Sequence, residues 1–184
     1  RGYPIEQIAE KSNFFFFFYL LLHGELPNAS QFTQFENNIK NYNFVAEEMK
    51  KILDAFPRSA HPMGVLSTLT SALTAFNPRA VNVKSKEDLD HAAEMLIAKF
   101  AHLCAWTYRK TNGFPLNHGD NSLNYVENFY KMTFRKPYEE FEIDPVVVAA
   151  LDKLLILHAD HEQNCSTSTV RMVGSAHTGL FASI

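Results

Sequence analysis

Apolar side chains return at spacings of three and four through most of the chain, and the breaks between these stretches fall at glycine, proline and asparagine. That period is helical. A short segment, Ile5 to Lys11, puts Ile5, Ile8 and Ala9 on one side, with Pro4 in its opening turn. Ser12 is the expected cap of the next segment, which runs through Phe14 to Leu22 and stops at Gly24. Its unbroken apolar run is shorter than the roughly 20 residues that cross a bilayer, so the helix is expected to be buried on all sides. Ser30 opens a segment with Phe32, Phe35 and Ile39 in register, Asn41 to Asn43 breaks it, and Val45, Met49, Ile52, Leu53 and Phe56 mark the next stripe.

After a loop at Pro57 to Ser59, His61-Pro62-Met63 opens a helix with Val65, Leu66, Leu69, Leu73 and Phe76 inside. Gly64, Ser67, Thr68, Ser71, Ala72 and Ala75 line its other face, which suits close packing in a central position or at a subunit contact. Ser85 to Asp88 resembles a capping box, and the long helix it opens, Lys86 to Lys110, carries Leu89, Ala93, Leu96, Phe100, Leu103 and Thr107. Gly113 closes it. A helix bearing Leu123, Val126, Phe129 and Met132 follows. Asp144 and Pro145 then start the last long one, Val146 to Leu157, whose apolar run reads as a buried core helix. No hairpin dipeptide between alternating residues, no glycine-rich phosphate loop and no internal repeat occurs. The predicted class is all-α.

Composition narrows the functions more than the fold. At 184 residues, 46% hydrophobic and 20% charged, with a net charge of −3, the chain is one domain's worth of ordinary globular protein. Its basic residues are dispersed, so no nucleic-acid partner is expected, and no membrane association. Cys104 and Cys165 are too few for a disulfide framework, which favours the cytoplasm. With Arg1 in first place and an apolar pattern still running at Phe181 to Ile184, a piece of a longer chain is expected.

The candidate chemistry lies where the last apolar helix ends. Leu157 to Arg171 reads L-H-A-D-H-E-Q-N-C-S-T-S-T-V-R, combining two histidines, two carboxylates, two carboxamides, a thiol and four hydroxyls. Four readings compete. His158 and His161, three apart, put both imidazoles on one face of a continuing helix, where they could bind a divalent metal, although spacing supplies no third ligand. Cys165 with His161 is a conceivable nucleophile pair. A histidine at a helix carboxyl end is also simply favoured there by the dipole. The fourth reading is an anion site, with His161 and Asn164 beside a new helix whose start is capped within Cys165 to Thr169.

The stretch His158 to Arg171 resembles the H-A-D-H-E-Q-N-x-S-T-S-T-V-R segment of the bacterial citrate synthases. Arg1-Gly2-Tyr3-Pro4-Ile5-Glu6-Gln7, Gly24-Glu25-Leu26-Pro27 and His61-Pro62-Met63 are similar to further stretches of that family, in the same order. The resemblance implies part of the family's large helical domain and a reaction that condenses oxaloacetate with acetyl-coenzyme A and water to citrate and free coenzyme A. It implies that His161 binds oxaloacetate and that Asn164 and Ser166 lie near that site. The family's catalytic residues, an aspartate and the histidines of its W-G-P-x-H-G-G-A-N and G-x-G-H-R segments, match nothing here, so no catalytic residue is expected within this chain. No metal and no resident cofactor are implied, since acetyl-coenzyme A is a substrate. A homodimer or hexamer of the full-length protein is implied. Asn41 to Asn43, Asn77 and Met95 stand where regulated members carry basic residues, so NADH control is not expected. The alternatives are a 2-methylcitrate synthase, or a helical metal-binding or interaction module that uses His158 and His161.

Overall fold

A computed structural model of the protein describes residues 2–82, 84–160 and 162–184. Among them the regular elements are all helical, as the periodicity predicts. The architecture is set by α6, Lys86–Asn112, whose 27 residues span roughly 40 Å at the α-helical rise. Its start and stop are written locally. The Ser85 side chain accepts from the Asp88 amide at 3.2 Å, Glu87 and Asp88 occupy the first turn, and Arg109 and Lys110 the last. Gly113 then turns left-handed at φ 69°, and a Cβ there would lie 1.6 Å from the Arg58 guanidinium, so a glycine fits on both counts.

The other helices pack around this axis. Helices α3 (Ala29–Tyr42), α5 (Pro62–Phe76) and α7 (Tyr125–Phe134) lie along α6, with α4 (Glu48–Asp54) and the short α10 (Leu180–Ser183) beside them. They enclose two apolar cores. One gathers Val45, Met49, Leu53, Leu69, Leu73, Leu103, Trp106 and Phe181. The other is built on α2, Phe14–His23, which follows α1 (Ile5–Lys11), and it joins Phe14, Phe15, Phe17 and Leu20 to Phe35, Ile39, Ala98 and Ile156. The phenylalanine run is thus core, with Phe15 4.9 Å from the Tyr125 ring and edge-on to Phe35 at 6.1 Å.

Several boundaries differ from the pattern. Asn13, not Ser12, caps α2 by accepting from the Phe16 amide at 3.0 Å, because the Ser12 hydroxyl is already donating to Ile8 O in the last turn of α1. Reciprocal capping boxes set the starts of α3, from Asn28 and Gln31, and of α7, from Asn124 and Glu127, which leaves Ser30 inside α3 and Leu123 outside α7.

The larger correction concerns α8, Pro145–His158. Only Ile156 is buried; Val146 is 75% exposed, Leu154 50% and Leu157 45%. An apolar sequence calls for an apolar surrounding, and little of it comes from this chain. The small-residue face of α5 is likewise open, with Gly64, Ser67, Thr68, Ser71 and Ala75 exposed. Among the described residues, no helix is long and apolar enough to cross a membrane.

Candidate functional site

The polar cluster is the connection between α8 and the following helix, α9, Cys165–Ser175. His158 closes α8, with its Nδ1 2.8 Å from Leu154 O, a carbonyl that can only accept, so Nδ1 is the donor. Asp160 Oδ1 accepts from the Glu162 amide at 3.1 Å. Glu162 takes φ 62°, in the left-handed region that non-glycine residues seldom occupy. Its carbonyl accepts from the Asn164 amide at 3.2 Å, and Asn164 Oδ1 in turn accepts from the Thr167 amide at 2.9 Å as the cap of α9.

Of the predicted site residues, Asn164 and Ser166 are brought together on the first turn of α9, both exposed. The expected cap within Cys165 to Thr169 is instead Asn164. Cys165 is the first helical residue, exposed and unoxidised, and its carbonyl accepts from the Thr169 hydroxyl at 2.8 Å. His161 lies outside the described residues. Among those described, no group of three or more histidine, cysteine, aspartate or glutamate side chains is arranged to hold a metal ion. No residue of α9 is buried, so the connection presents its polar groups at the surface.

A second polar region escaped the sequence reading. A cavity of about 590 Å³ is lined by Lys40, His102, His118, Lys131 and Arg135 together with Asn41, Asn43 and Asp120. Lys131 is paired with Asp120 at 2.7 Å, which holds that carboxyl well below the usual range. His102, 2% exposed, has its Nδ1 3.1 Å from Asn43 O and its Nε2 buried without a partner among the described residues, and burial brings its pKa down to about 4. Its residues come from separate segments, each unremarkable alone, so no local motif could have announced it.

A single long helix wrapped by shorter ones, with an exposed polar connection between α8 and α9, defines, among the described residues, an all-helical protein whose candidate chemistry sits outside its core. The sequence profile described as "Citrate synthase, C-terminal domain" matches residues 1–184. The chain belongs to the citrate synthase family. It is 49% identical over its whole length to "Citrate synthase 1" of Mycobacterium tuberculosis (strain CDC 1551 / Oshkosh) and 46% identical to "Citrate synthase" of Corynebacterium glutamicum, spanning 43% and 42% of those proteins. In three dimensions it is similar to the citrate synthases of Pyrobaculum aerophilum and Thermotoga maritima MSB8. The TM-scores are 0.89 and 0.81 and the identities 30% and 28%; 99% and 100% of this chain is covered, and 46% of each of theirs.

Proposed function

We propose that the chain is part of an enzyme that condenses oxaloacetate with acetyl-coenzyme A and water to give citrate and coenzyme A, and that residues 1–184 contribute to its large helical domain. The observation that carries this reading is the run from His158 to Arg171, which stands on the turn and first turns of a helix in a chain of this family. His161 is the substrate-binding residue, with Asn164 and Ser166 beside it. Oxaloacetate is a dianion, and a protonated imidazole gives it a charge-assisted hydrogen bond, roughly twice as strong as a neutral one.

Condensation also needs a base to draw a proton from the thioester methyl group and a donor to stabilise the enolate oxygen. Those roles fall to residues that match no position in 1–184, so this stretch binds and orients one substrate while the acid–base chemistry comes from elsewhere in the enzyme. No resident metal or cofactor takes part. The assembled protein is a homodimer or hexamer in the cytoplasm.

The test is made in the full-length protein. With a contribution of about 1.5–3 kcal/mol, His161→Ala raises the oxaloacetate KM or lowers kcat/KM by roughly ten- to a hundred-fold, while the acetyl-coenzyme A KM changes far less. Unaltered oxaloacetate kinetics would remove His161 from the site. Faster turnover of propionyl- than acetyl-coenzyme A would reassign the enzyme as a 2-methylcitrate synthase. One tightly held metal per chain in elemental analysis, lost on His158→Ala, would favour the metal-binding alternative.

A further inference from the structure

We propose that the peptide unit joining Asn112 to Gly113 is a site of spontaneous deamidation, promoted by the Arg58 guanidinium and gated by the last turn of α6. These residues form the only asparagine–glycine pair in the chain. In the reaction the Gly113 backbone nitrogen attacks the Asn112 side-chain carbonyl carbon, a cyclic imide closes, and the carboxamide nitrogen leaves as ammonia, carrying away the Gly113 amide proton. Water then opens the imide at either carbonyl, giving aspartate or its β-linked isomer. No other reactant is needed. Glycine is the successor that obstructs this attack least, because it has no side chain beside the attacking nitrogen.

The fold adds a cation to that sequence pair. Arg58, in the connection between α4 and α5, lays its guanidinium in the space a Cβ on Gly113 would fill, with Nη2 1.6 Å and Cζ 2.4 Å from that point. The charge rests against a peptide unit whose nitrogen must shed a proton and whose attack leaves negative charge on oxygen, and a neighbouring cation favours both. Two hydrogen bonds oppose the reaction. Asn112 Nδ2 donates to Tyr108 O at 2.8 Å, and the Gly113 amide donates to Lys110 O at 3.1 Å and to Arg109 O. Both must open before nitrogen and carbon meet, so the rate follows the fraying of this turn. The β-linked product lengthens the main chain by a methylene just ahead of Phe114, whose amide closes on Arg109 O at 2.9 Å. Either product sets a carboxylate at the carboxyl end of α6, where the helix dipole disfavours it.

The experiment ages the full-length protein at mildly alkaline pH as parent, Arg58→Gln and Arg58→Lys, each native and in denaturant. Peptide mass reads residue 112, and an isoaspartate methyltransferase counts the β-linked product. In the native parent, residue 112 gains the mass of an acid in place of an amide. Arg58→Gln slows that gain roughly three- to five-fold, the effect of one neighbouring charge, and Arg58→Lys stays within about two-fold of the parent. In denaturant all three deamidate alike and faster than the native parent, because Arg58 is then far from Gly113 and the last turn is gone. A substitution that merely loosened the fold would speed the reaction, so instability does not imitate the expected slowing. If residue 112 stays asparagine in the native parent while it deamidates in denaturant, α6 closes the site and the inference fails. Parent-like or faster deamidation in native Arg58→Gln removes Arg58 from the reaction and overturns the inference as stated.

Discussion

Replacing Arg109 by methionine should unfasten the far end of α7 while leaving the α8–α9 connection unaffected. The guanidinium is completely buried in the last turn of α6, beside the Phe114 ring at 5.6 Å, and burial depresses its pKa. Among the described residues it has no carboxylate partner; instead it donates to three carbonyls, those of Pro115, Thr133 at 3.0 Å and Arg135 at 2.7 Å. Thr133 O belongs to the last turn of α7, where helical carbonyls lack internal donors, so Arg109 serves as a cap supplied by another helix. Methionine fills much of the volume but donates nothing. The Arg135 carbonyl keeps the Asn117 amide at 3.0 Å, whereas the Pro115 and Thr133 carbonyls lose their side-chain donor. At about 1–3 kcal/mol for each buried acceptor left unpaired, less the desolvation relieved by removing a buried cation, the net cost is about 3 kcal/mol. Native-state hydrogen exchange reads this locally: amides of the 115–135 stretch exchange about a hundred-fold faster, and a thermal melt shifts down in parallel. Arg109→Lys, a single donor head in place of a fork, recovers only part of the loss. A change below about 1 kcal/mol in Arg109→Met would show that the three carbonyls find other donors and that the guanidinium is a passenger.

Two further outcomes follow from burial. His102 is held neutral with its pKa down to about 4 against an ordinary 6.5, facing Lys99, Lys50 and His118; because the unfolded chain takes up the proton first, the stability it secures is complete above about pH 6.5 and is lost as the pH falls toward 4. Thermal melts from pH 7.5 to 4.5 should show that loss, and His102→Gln should flatten it; an equal slope in the variant would assign the pH dependence to other groups. Residues 1–184 expressed alone should self-associate through the open face of α8 and release no thiol from acetyl-coenzyme A in the presence of oxaloacetate. Light scattering should find more monomer in the double variant Leu154→Glu, Leu157→Glu; a parent chain that is already monomeric, or one that turns over substrate, would refute this.

The helices were legible because their ends carry local signals, and the misplacements arose where two such signals adjoin. Ser12 and Asn13 are both good caps, and the choice fell to Asn13 only because Ser12 was still occupied by Ile8 O. In α6 the predicted stripe assumed one contact face. With α3, α5, α7, α4 and α10 all against it, the helix buries Ala98, Ala101, His102 and Arg109, while Leu89, Ala93 and Phe100 are only half covered. A helix surrounded by neighbours has no single stripe to find. The apolar run of α8 predicts burial because hydrophobicity states a need for cover without saying which chain supplies it. The H-A-D-H-E-Q-N motif located the candidate site. The left-handed Glu162 beneath it had no precursor in the sequence, since neither glycine nor asparagine marks the position.

Helix α9 is moored at both ends, touches α10, and buries none of its own residues. The cap at Asn164 ties one end to the α8 turn, Phe181 of α10 beyond the other end sinks into the core at 1% exposure, and α9 itself buries no residue. Substitutions along this span therefore escape the ordinary policing of folding, under which a change in α6 is eliminated for instability before its effect on chemistry is tried. If Ser166, Met172 or Val173 proves intolerant of change, the expected cause is a surface laid against it in the full-length protein and not the folding of this stretch. The span is thus a record of external contacts, and a mutational scan of α9 scored separately for abundance and for activity would read it, with the first trace flat and the second deeply marked.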